Sequence, residues 1–255
     1  MKLSVVIPVH NEEKLIRKVT QDLIKELEAN LIDYEIILVN DNSTDESPKI
    51  LEALSCEYKN IKVISSKFPK GFGRAIRQGL EHITGEVVVI FMGDGSDDPK
   101  DVVRYYEKIK EGYDCVFGSR FIRGAKVKDY PLIKLIFNRL GNKLIQLLFF
   151  IPYNDVSNAF KAYRRKVIEA VQPLVSQYFN ITVEIPLKAI IRGFSYTVIP
   201  INWQGRESGV SKYHIKELMR KYFFSILYVW LEKILLKEEF KIKNWQKVNT
   251  FFYKQ

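Results

Sequence analysis

The first half of the chain alternates short apolar runs with longer amphipathic segments. This alternation is typical of β-α-β units built around a mostly parallel sheet. Residues 3–9 predict a first strand, and residues 13–29, whose apolar side chains recur at helical spacing, predict the first helix. The same reasoning predicts strands over residues 35–39, 61–65 and 86–91, and helices over residues 47–56 and 74–83.

Two acidic loops directly follow predicted strands. The first acidic loop covers residues 40–45 (NDNSTD), and the second acidic loop covers residues 94–98 (DGSDD). Ligands of open α/β sheets bind outside the carboxyl ends of the strands, so the two loops predict a functional edge. Turn formation and helix capping explain the same residue types without a ligand, above all for residues 44–47.

The second half of the chain has a different pattern of apolar and polar segments. Residues 114–119 predict another strand, which ends beside Arg120, and residues 130–151 predict an apolar and basic helix or helix pair. Residues 154–163 are predicted as a loop that enters a helix, residues 196–203 as a late strand, and the tail as aromatic, basic helix. No linker convincingly divides these parts.

Composition narrows the class of protein. With 255 residues, 47% hydrophobic and 27% charged, the chain is predicted to be globular and not disordered or fibrous. The net charge of +10 favours anionic partners, namely nucleotides, phosphorylated substrates, anionic lipid or nucleic acid. Nucleic acid ranks last, because the basic residues are scattered and form no recognition motif. Cys56 and Cys115 stand too far apart for a zinc-ligand spacing, and two cysteines favour a reducing cytoplasm.

Several segments together resemble the nucleotide-sugar-dependent glycosyltransferases of family 2. They are VVIPVHNEE (5–13), EIILVNDNSTDES (35–47), GFGRAIRQGL (71–80), VVVIFMGDGSDDP (87–99) and VFGSRF (116–121). DVSNAFKAYRR (155–165) and ESGVSKY (207–213) are similar to the subgroup of dolichyl-phosphate mannose and polyprenyl-phosphate hexose synthases. The resemblance implies a GT-A-like, Rossmann-like α/β fold with a mostly parallel central sheet, flanking helices and C-terminal amphipathic helices.

The resemblance implies that Asp94 binds a divalent cation, Mg²⁺ or Mn²⁺, on the diphosphate of a nucleotide sugar. Met92 stands where the family commonly has the first aspartate of its Asp-x-Asp motif, and a thioether is a poor ligand for a hard cation. Asp97 either supplies the missing oxygen ligand or caps the following helix, whereas capping is favoured for Asp98.

Donor binding is implied at the first predicted strand and the first acidic loop. Pro8, His10, Glu12 and Asp41 fall where the family contacts the nucleoside, with Asp41 as the acceptor for a base N–H. A surface histidine without a special role is the alternative for His10. Gly71 and Gly73 either admit close approach of the donor or form a plain turn.

Acceptor binding is implied further along the chain. The subgroup resemblance makes Arg120 a ligand of the acceptor phosphate, which suits an arginine fork. Arg206, Ser211 and Lys212 lie in a loop that similar enzymes close over the diphosphate, although a solvated basic loop is the alternative. Asp155 matches an acidic position near the acceptor, or it caps a helix.

The expected activity is an inverting transfer of mannose or glucose from GDP-mannose or UDP-glucose to a polyprenyl or dolichyl phosphate. A phosphate monoester with a second pKa near ~6 is largely ionised at neutral pH and needs no general base. A glycan hydroxyl acceptor is the alternative, and it would need a base such as Glu184 or Asp155. A catalytically degenerate nucleotide-sugar-binding module is the third possibility, which Met92 keeps open.

Two domains are expected: a catalytic domain over residues 1–212 and a basic, aromatic helical tail over residues 213–255. The amino-terminal apolar run lacks the cleavage site of a signal peptide. No segment reaches the roughly 18–20 uninterrupted apolar residues of a spanning helix. We therefore expect a cytoplasmic protein that binds the cytoplasmic face of a membrane peripherally, either through interfacial helices or through a membrane-anchor protein partner. Packing of the tail on the sheet or on another subunit is the alternative.

Overall fold

The computed structural model of the protein describes residues 1–205 and 215–235. Strands and helices alternate through the first 120 of these residues, as the hydrophobic pattern predicts. The strands are β1 (Leu3–Val9), β2 (Tyr34–Asn40), β3 (Ile61–Ser65), β4 (Val87–Ile90), β5 (Cys115–Ser119), β6 (Lys126–Lys128), β7 (Lys161–Arg164), β8 (Tyr196–Pro200) and β9 (Asn202–Gln204). The helices are α1 (Ile16–Ala29), α2 (Ser47–Glu57), α3 (Phe72–Leu80), α4 (Pro99–Lys110), α5 (Leu132–Phe149), α6 (Arg165–Ala170), α7 (Ile181–Ile191) and α8 (Ile215–Leu235).

A seven-stranded sheet in the order β3-β2-β1-β4-β7-β5-β8 forms the centre of the protein. All neighbouring strands are parallel except β7, which runs antiparallel to both β4 and β5. A second, small sheet pairs β6 with β9. The predicted α/β fold with a mostly parallel central sheet is therefore confirmed.

The central strands are apolar on both faces because helices cover both sides of the sheet. Successive residues of β1 point to opposite sides, so Val5 and Ile7 pack with α1 and α4 while Val6 packs with α3. All seven residues of β1 are buried. This layering leaves the carboxyl ends of β1, β2 and β4 as the open edge, where the two acidic loops lie.

Three predicted elements were wrong or misplaced. The loop predicted over residues 154–163 does not enter a helix directly, because residues 161–164 form β7 and insert between β4 and β5. The strand predicted over residues 196–203 is split at Ile201 into β8 and β9, which belong to different sheets. Helix α1 begins at Ile16 and not at residue 13, since the carbonyl of Glu12 accepts the N–H groups of Leu15 and Ile16 in a preceding turn.

The start of the predicted tail is helical as far as the structure describes it. Helix α8 packs on α7, with Ile226 and Val229 buried in the core. Residues 206–214 and 236–255, which complete the expected tail and its connecting loop, lie outside the described residues. In the described parts of the chain, no helix combines the length and apolar character needed to cross a bilayer.

Candidate active site

The carboxyl ends of β1, β2 and β4 bring the predicted donor-binding residues to one edge of the sheet. The N–H of Asp41 donates to the Val9 carbonyl at 2.8 Å, which ties the first acidic loop to the end of β1. On the other side of β1, a methyl group added at Gly93 would lie 3.4 Å from the Pro8 carbonyl oxygen. The second acidic loop therefore begins directly beside Pro8, as the parallel register of β1 and β4 requires.

His10 and Asp41 form a bonded cluster with the segment before α3. Nδ1 of His10 donates to the Asp41 carbonyl at 2.8 Å, which leaves Nε2 to accept a hydrogen bond from Lys70 at 2.6 Å. The buried Asp41 carboxylate accepts the Gly71 N–H with both oxygens, at 2.9 and 3.0 Å. The sequence reasoning missed Lys70, for which spacing offers no signal because it lies 60 residues from His10.

The two predicted glycines admit close approach of the chain itself. A methyl group at Gly73 would lie 2.6 Å from the Ser176 carbonyl oxygen and 2.7 Å from that of Tyr178. At Gly71 it would lie 2.6 Å from the Gln177 carbonyl oxygen. Both glycines are thus needed where residues 176–178 cross the start of α3, and a donor contact there stays a prediction.

Glu12 lies in a loop that is fastened to the first acidic loop. Its N–H donates to Ser47 Oγ at 2.9 Å, and the N–H of Glu13 donates to Asp45 Oδ2 at 3.1 Å. Although partial burial opposes the effect, hydrogen bonds from Ser47 and Glu13 lower the pKa of Asp45. Backbone N–H donors therefore fasten the first acidic loop and favour the charged form of Asp45.

The second acidic loop holds two buried carboxylates close together. Asp94 and Asp97 are 6% and 5% exposed, and each accepts one backbone N–H, from Ser96 and Met92 respectively, at 3.1 Å. Burial, reinforced by the neighbouring Asp94 carboxylate, raises the pKa of Asp97 to about 8. Burial and the neighbouring carboxylate thus disfavour the charged form of Asp97.

Asp98 behaves differently from its neighbours. Its Oδ1 accepts the Lys100 N–H at 3.0 Å as the N-cap of α4, and its Oδ2 accepts from Asn202 Nδ2 at 3.0 Å. This geometry confirms the predicted cap, whereas Asp94 and Asp97 line a pocket.

The Asp94 and Asp97 pair fits a divalent cation. Both residues line an open pocket that Lys18 and Gln204 also line. Mg²⁺ is usually held by one or two carboxylates together with the phosphates of a substrate, so two oxygen donors suffice. A cation would also offset the burial and the neighbouring negative charge that raise the pKa of Asp97. Residues 1–205 and 215–235 contain no cluster of three or more His, Cys, Asp and Glu that would form a self-sufficient metal site.

Arg120 is engaged with Asp155 inside an aromatic cage. Arg120 Nε and Nη2 donate to the two Asp155 oxygens at 2.8 and 2.7 Å, and the Arg120 side chain is 8% exposed. Although burial opposes the effect, the Asp155 carboxylate raises the pKa of Arg120. Phe121, Tyr130 and Trp203 lie around the guanidinium, with ring centroids 5.2–5.5 Å away.

This pairing corrects the alternative explanation of Asp155 as a helix cap. No helix follows it, and its carboxylate accepts three hydrogen bonds from Arg120, one of them from the backbone N–H at 3.0 Å. The sequence reasoning placed Arg120 and Asp155 near the same acceptor but missed their contact. It also missed Tyr130 and Trp203, since only the fold brings these two rings beside Arg120.

Glu184, the other carboxylate considered as a base, has a structural role. It is fully buried, accepts the N–H groups of Val175 and Ser176 at 2.9 and 2.8 Å, and lies 3.3 Å from Lys188 Nζ. Its hydrogen bonds hold residues 175–176 against α7, so it is not poised to take a proton from an acceptor. Arg206, Ser211 and Lys212 lie outside the described residues, and their predicted roles are not placed.

A buried lysine near Asp155 was also missed. Lys161 is 1% exposed, and its Nζ donates to the carbonyls of Val156, Asn158 and Thr182. Burial lowers the pKa of Lys161 to about 7. A lysine within the apolar stretch AFKAY is a signal that could have identified it, because a buried ammonium needs several acceptors.

Comparison with known families and curated proteins gives a consistent result. The family model described as "Glycosyl transferase family 2" matches residues 4–172, more than half of the chain. A dolichol-phosphate mannosyltransferase from Pyrococcus furiosus is 30% identical over 216 residues, which cover 83% of this chain. The same alignment covers 59% of that enzyme, so this chain matches little more than half of its relative.

Solved structures share the fold. Glucosyl-3-phosphoglycerate synthase from Mycobacterium tuberculosis in complex with phosphoglyceric acid superimposes with a TM-score of 0.70 at 18% identity, covering 89% of this chain and 79% of that one. The same enzyme in complex with Mn²⁺, uridine diphosphate and phosphoglyceric acid gives a TM-score of 0.68 at 19% identity, with 90% and 78% covered. At these identities, the likeness establishes the architecture alone.

Proposed function

The chain belongs to glycosyltransferase family 2, and on that basis we propose that it transfers a hexose from a nucleotide sugar to a polyprenyl phosphate. The observation that carries this proposal is the buried pair Asp94 and Asp97, which lies at the sheet edge beside Pro8. The relative from Pyrococcus furiosus supports the lipid phosphate as acceptor. The structures with Mn²⁺ and uridine diphosphate support a metal-dependent donor.

The donor lies across the open edge of the sheet. Asp94 and Asp97 would hold Mg²⁺ or Mn²⁺, which would supply positive charge to stabilise the departing nucleoside diphosphate. Pro8, His10 and Glu12 border the nucleoside. The Asp41 carboxylate, which we propose as the acceptor for a base N–H, also accepts the Gly71 N–H and is held in place by it.

The acceptor phosphate provides its own nucleophile. With a second pKa near ~6, it is largely dianionic at neutral pH, so its oxygen attacks the anomeric carbon without proton removal. Attack occurs opposite the leaving group; the new C–O bond forms as the sugar–phosphate bond breaks, which inverts the anomeric centre. The nucleoside diphosphate leaves with the bonding electron pair.

Arg120 is the proposed ligand of the acceptor phosphate. An arginine has five N–H donors, and Asp155 engages one on Nε and one on Nη2. The remaining donors can bind phosphate oxygens while Asp155 holds the guanidinium plane in position. Asp155 is accordingly a positioning residue that acts through Arg120.

A hydroxyl acceptor is the second candidate, because the structural neighbours are named for glucosyl-3-phosphoglycerate synthesis. A hydroxyl needs a general base. Among the described residues, the two carboxylates considered for this role are both engaged, Glu184 by backbone N–H groups and Asp155 by Arg120. The arrangement of charges therefore favours the lipid phosphate.

A transfer assay tests the proposal. Purified protein is given radiolabelled GDP-mannose or UDP-glucose with either polyprenyl phosphate in detergent or 3-phosphoglyceric acid, and Mn²⁺, Mg²⁺ or a chelator. We expect metal-dependent label in the lipid fraction. Asp94→Asn and Asp97→Asn should each lower turnover on the order of 100-fold or more, because metal-held charge is worth several kcal/mol in the transition state.

Asp98→Asn is the matched control. It removes a carboxylate from the same loop, yet asparagine caps a helix as well as aspartate does, so turnover should stay within about threefold of wild type. Label on 3-phosphoglyceric acid alone would replace the lipid acceptor by a hydroxyl. Donor binding without any transfer would mean a nucleotide-sugar-binding protein that is not a catalyst.

A further inference from the structure

Helix α5 turns several polar side chains toward the rest of the protein. Asn142 is 2% exposed and donates to Ser157 Oγ at 3.1 Å, and Asn138 Nδ2 donates to the same hydroxyl at 2.7 Å. Gln146 donates to the Pro152 carbonyl at 2.9 Å. Ile145 and Phe149 supply the apolar contacts of this inner face.

The outer face of α5 is apolar. Helices of globular proteins normally turn their charged side toward water. Here Leu140 and Leu147 are 63% and 62% exposed, and Phe150, directly after the helix, is 87% exposed. The other exposed apolar residues of this face are Leu132, Ile133, Ile136, Phe137 and Leu144. So continuous a stripe marks an interaction surface.

Helix α8 has the same inverted arrangement as α5, with polar side chains bonded inside the protein and apolar side chains exposed. Its Ser225 is buried in a hydrogen-bonded cluster with Ser176 and Asn180, and its Glu232 pairs inward with Arg192. The side chains of Phe223 and Phe224 are instead about 60% exposed. Leu227, Leu231, Ile234 and Leu235 extend this exposed apolar face.

The two helices meet at their carboxyl ends. Lys233 of α8 donates to the Phe149 carbonyl at the end of α5 at 3.0 Å, and its ammonium lies 5.4 Å from the ring centroids of Phe149 and Phe150. The exposed apolar residues of α5 and α8 are called the apolar surface below.

Charge identifies what covers the apolar surface. Helix α5 contains Lys134, Arg139 and Lys143 and no acidic residue, so the surface complements anionic headgroups, toward which lysine and arginine extend from an apolar base. A twofold contact through α5 would instead bring the cations of two copies into one interface without an acidic residue of α5 to pair with them. The inverted polarity and the purely basic charge together point to lipid.

We propose that the apolar surface docks this protein on a bilayer that carries anionic lipids, with α5 lying in the plane of the interface. The surface borders the acceptor side of the site, because Arg139 lies 4.5 Å over the Phe121 ring beside Arg120, and Asn138 contacts the loop that carries Asp155. Docking thus brings the site to the level at which a lipid phosphate lies. The inference stands on the helices alone and does not require the transfer reaction.

Vesicle flotation of the full chain tests the docking. We expect the protein to float with vesicles of 70% phosphatidylcholine and 30% phosphatidylglycerol, and to bind pure phosphatidylcholine at least tenfold more weakly. Leu140→Glu combined with Leu147→Glu should reduce binding at least tenfold. Both side chains are exposed, so circular dichroism and thermal unfolding should be unchanged. Leu31→Glu, a change at a 94% exposed leucine between α1 and β2, is the control and should bind like wild type.

Equal flotation of the double variant, or no flotation of the wild type, would overturn the proposal. A wild-type dimer in light scattering that the double variant converts to a monomer would assign the surface to a second copy instead. Transfer in detergent is measured on the same preparations, where the double variant should keep wild-type turnover. Failure of docking with retained transfer would leave the proposed function intact.

Discussion

The two acidic loops have similar compositions and lie at the same edge of the sheet, yet their electrostatic environments are opposite. In the first acidic loop, Asp45 accepts two backbone N–H groups, Asp41 accepts the Gly71 N–H with both of its oxygens, and the pKa of Asp45 is lowered. In the second acidic loop, Asp94 and Asp97 are buried and lie close together, and the pKa of Asp97 is raised.

The difference shows that an acidic loop acquires its chemistry from the donors around it and not from its composition. Hydrogen bonds from several donors, as at Asp45, stabilise a carboxylate as the anion. Burial beside a second carboxylate, as at Asp97, disfavours the anion. The contrast therefore supports a structural task for the first acidic loop and the proposed metal site at the second.

The largest expected effect concerns the pH dependence of stability at Asp97. Its folded pKa of about 8 exceeds its ordinary value of 3.8, so between these values the folded protein holds a proton that the unfolded chain has released. The free energy of unfolding should therefore fall as pH rises, by up to roughly 1.4 kcal/mol per pH unit from this group. Urea unfolding in chelator, from pH 5 to pH 8, measures the slope.

Asp97→Asn isolates that contribution, because asparagine resembles the protonated carboxyl and still accepts the Met92 N–H. The variant should match wild type only below about pH 3.8, and its advantage in stability should grow as pH rises toward 8. Adding Mn²⁺ at pH 8 should stabilise wild type and not the variant. A variant that is less stable than wild type at pH 8 in chelator would contradict the electrostatic contrast between the loops.

A smaller effect is expected at Asp41. Asp41→Ala leaves the buried Gly71 N–H without its acceptor, which should lower the free energy of unfolding by about 1–3 kcal/mol. Asp41→Asn keeps an acceptor oxygen and should lose less. The comparison is made by urea unfolding at pH 7. Equal losses in both variants would mean that charge, and not the hydrogen bond, is what the loop requires.

The smallest effect is expected at Asp45, which is partly exposed to solvent. Because its folded pKa lies below the ordinary value of 3.8, its stabilisation is present above about pH 4 and is lost as pH falls below that value. Asp45→Asn should therefore cost at most about 1 kcal/mol at pH 7 and nothing near pH 2. A loss that persists near pH 2 would point to altered packing in place of charge.

Much of the fold could be predicted because the pattern of buried strands is local. The bounds predicted for β1 and β3 are those observed, since an apolar run between polar turns is sufficient to identify such strands. Strand β7 was missed because its four residues, KAYR, carry too short a pattern. Its place depends on β4 and β5, which lie on either side of it.

The candidate site was predictable in position but not in its pairings. The sequence places acidic residues after β2 and β4, and parallel strands bring those ends to one edge. It does not show that Asp98 caps α4, that Asp155 holds Arg120, or that Glu184 is buried under a loop. Each of these outcomes depends on which donor lies within 3 Å.

The sequence by itself determined the family, the layered sheet and the edge at which polar loops collect, because hydrophobic periodicity acts over a few residues at a time. Only the tertiary structure decided which carboxylates are neutralised and which helices turn apolar faces outward. Asp41 and Gly71 are 30 residues apart, and Arg120 and Asp155 are 35 apart. Contacts of that separation depend on strand register and helix packing, which no single segment encodes.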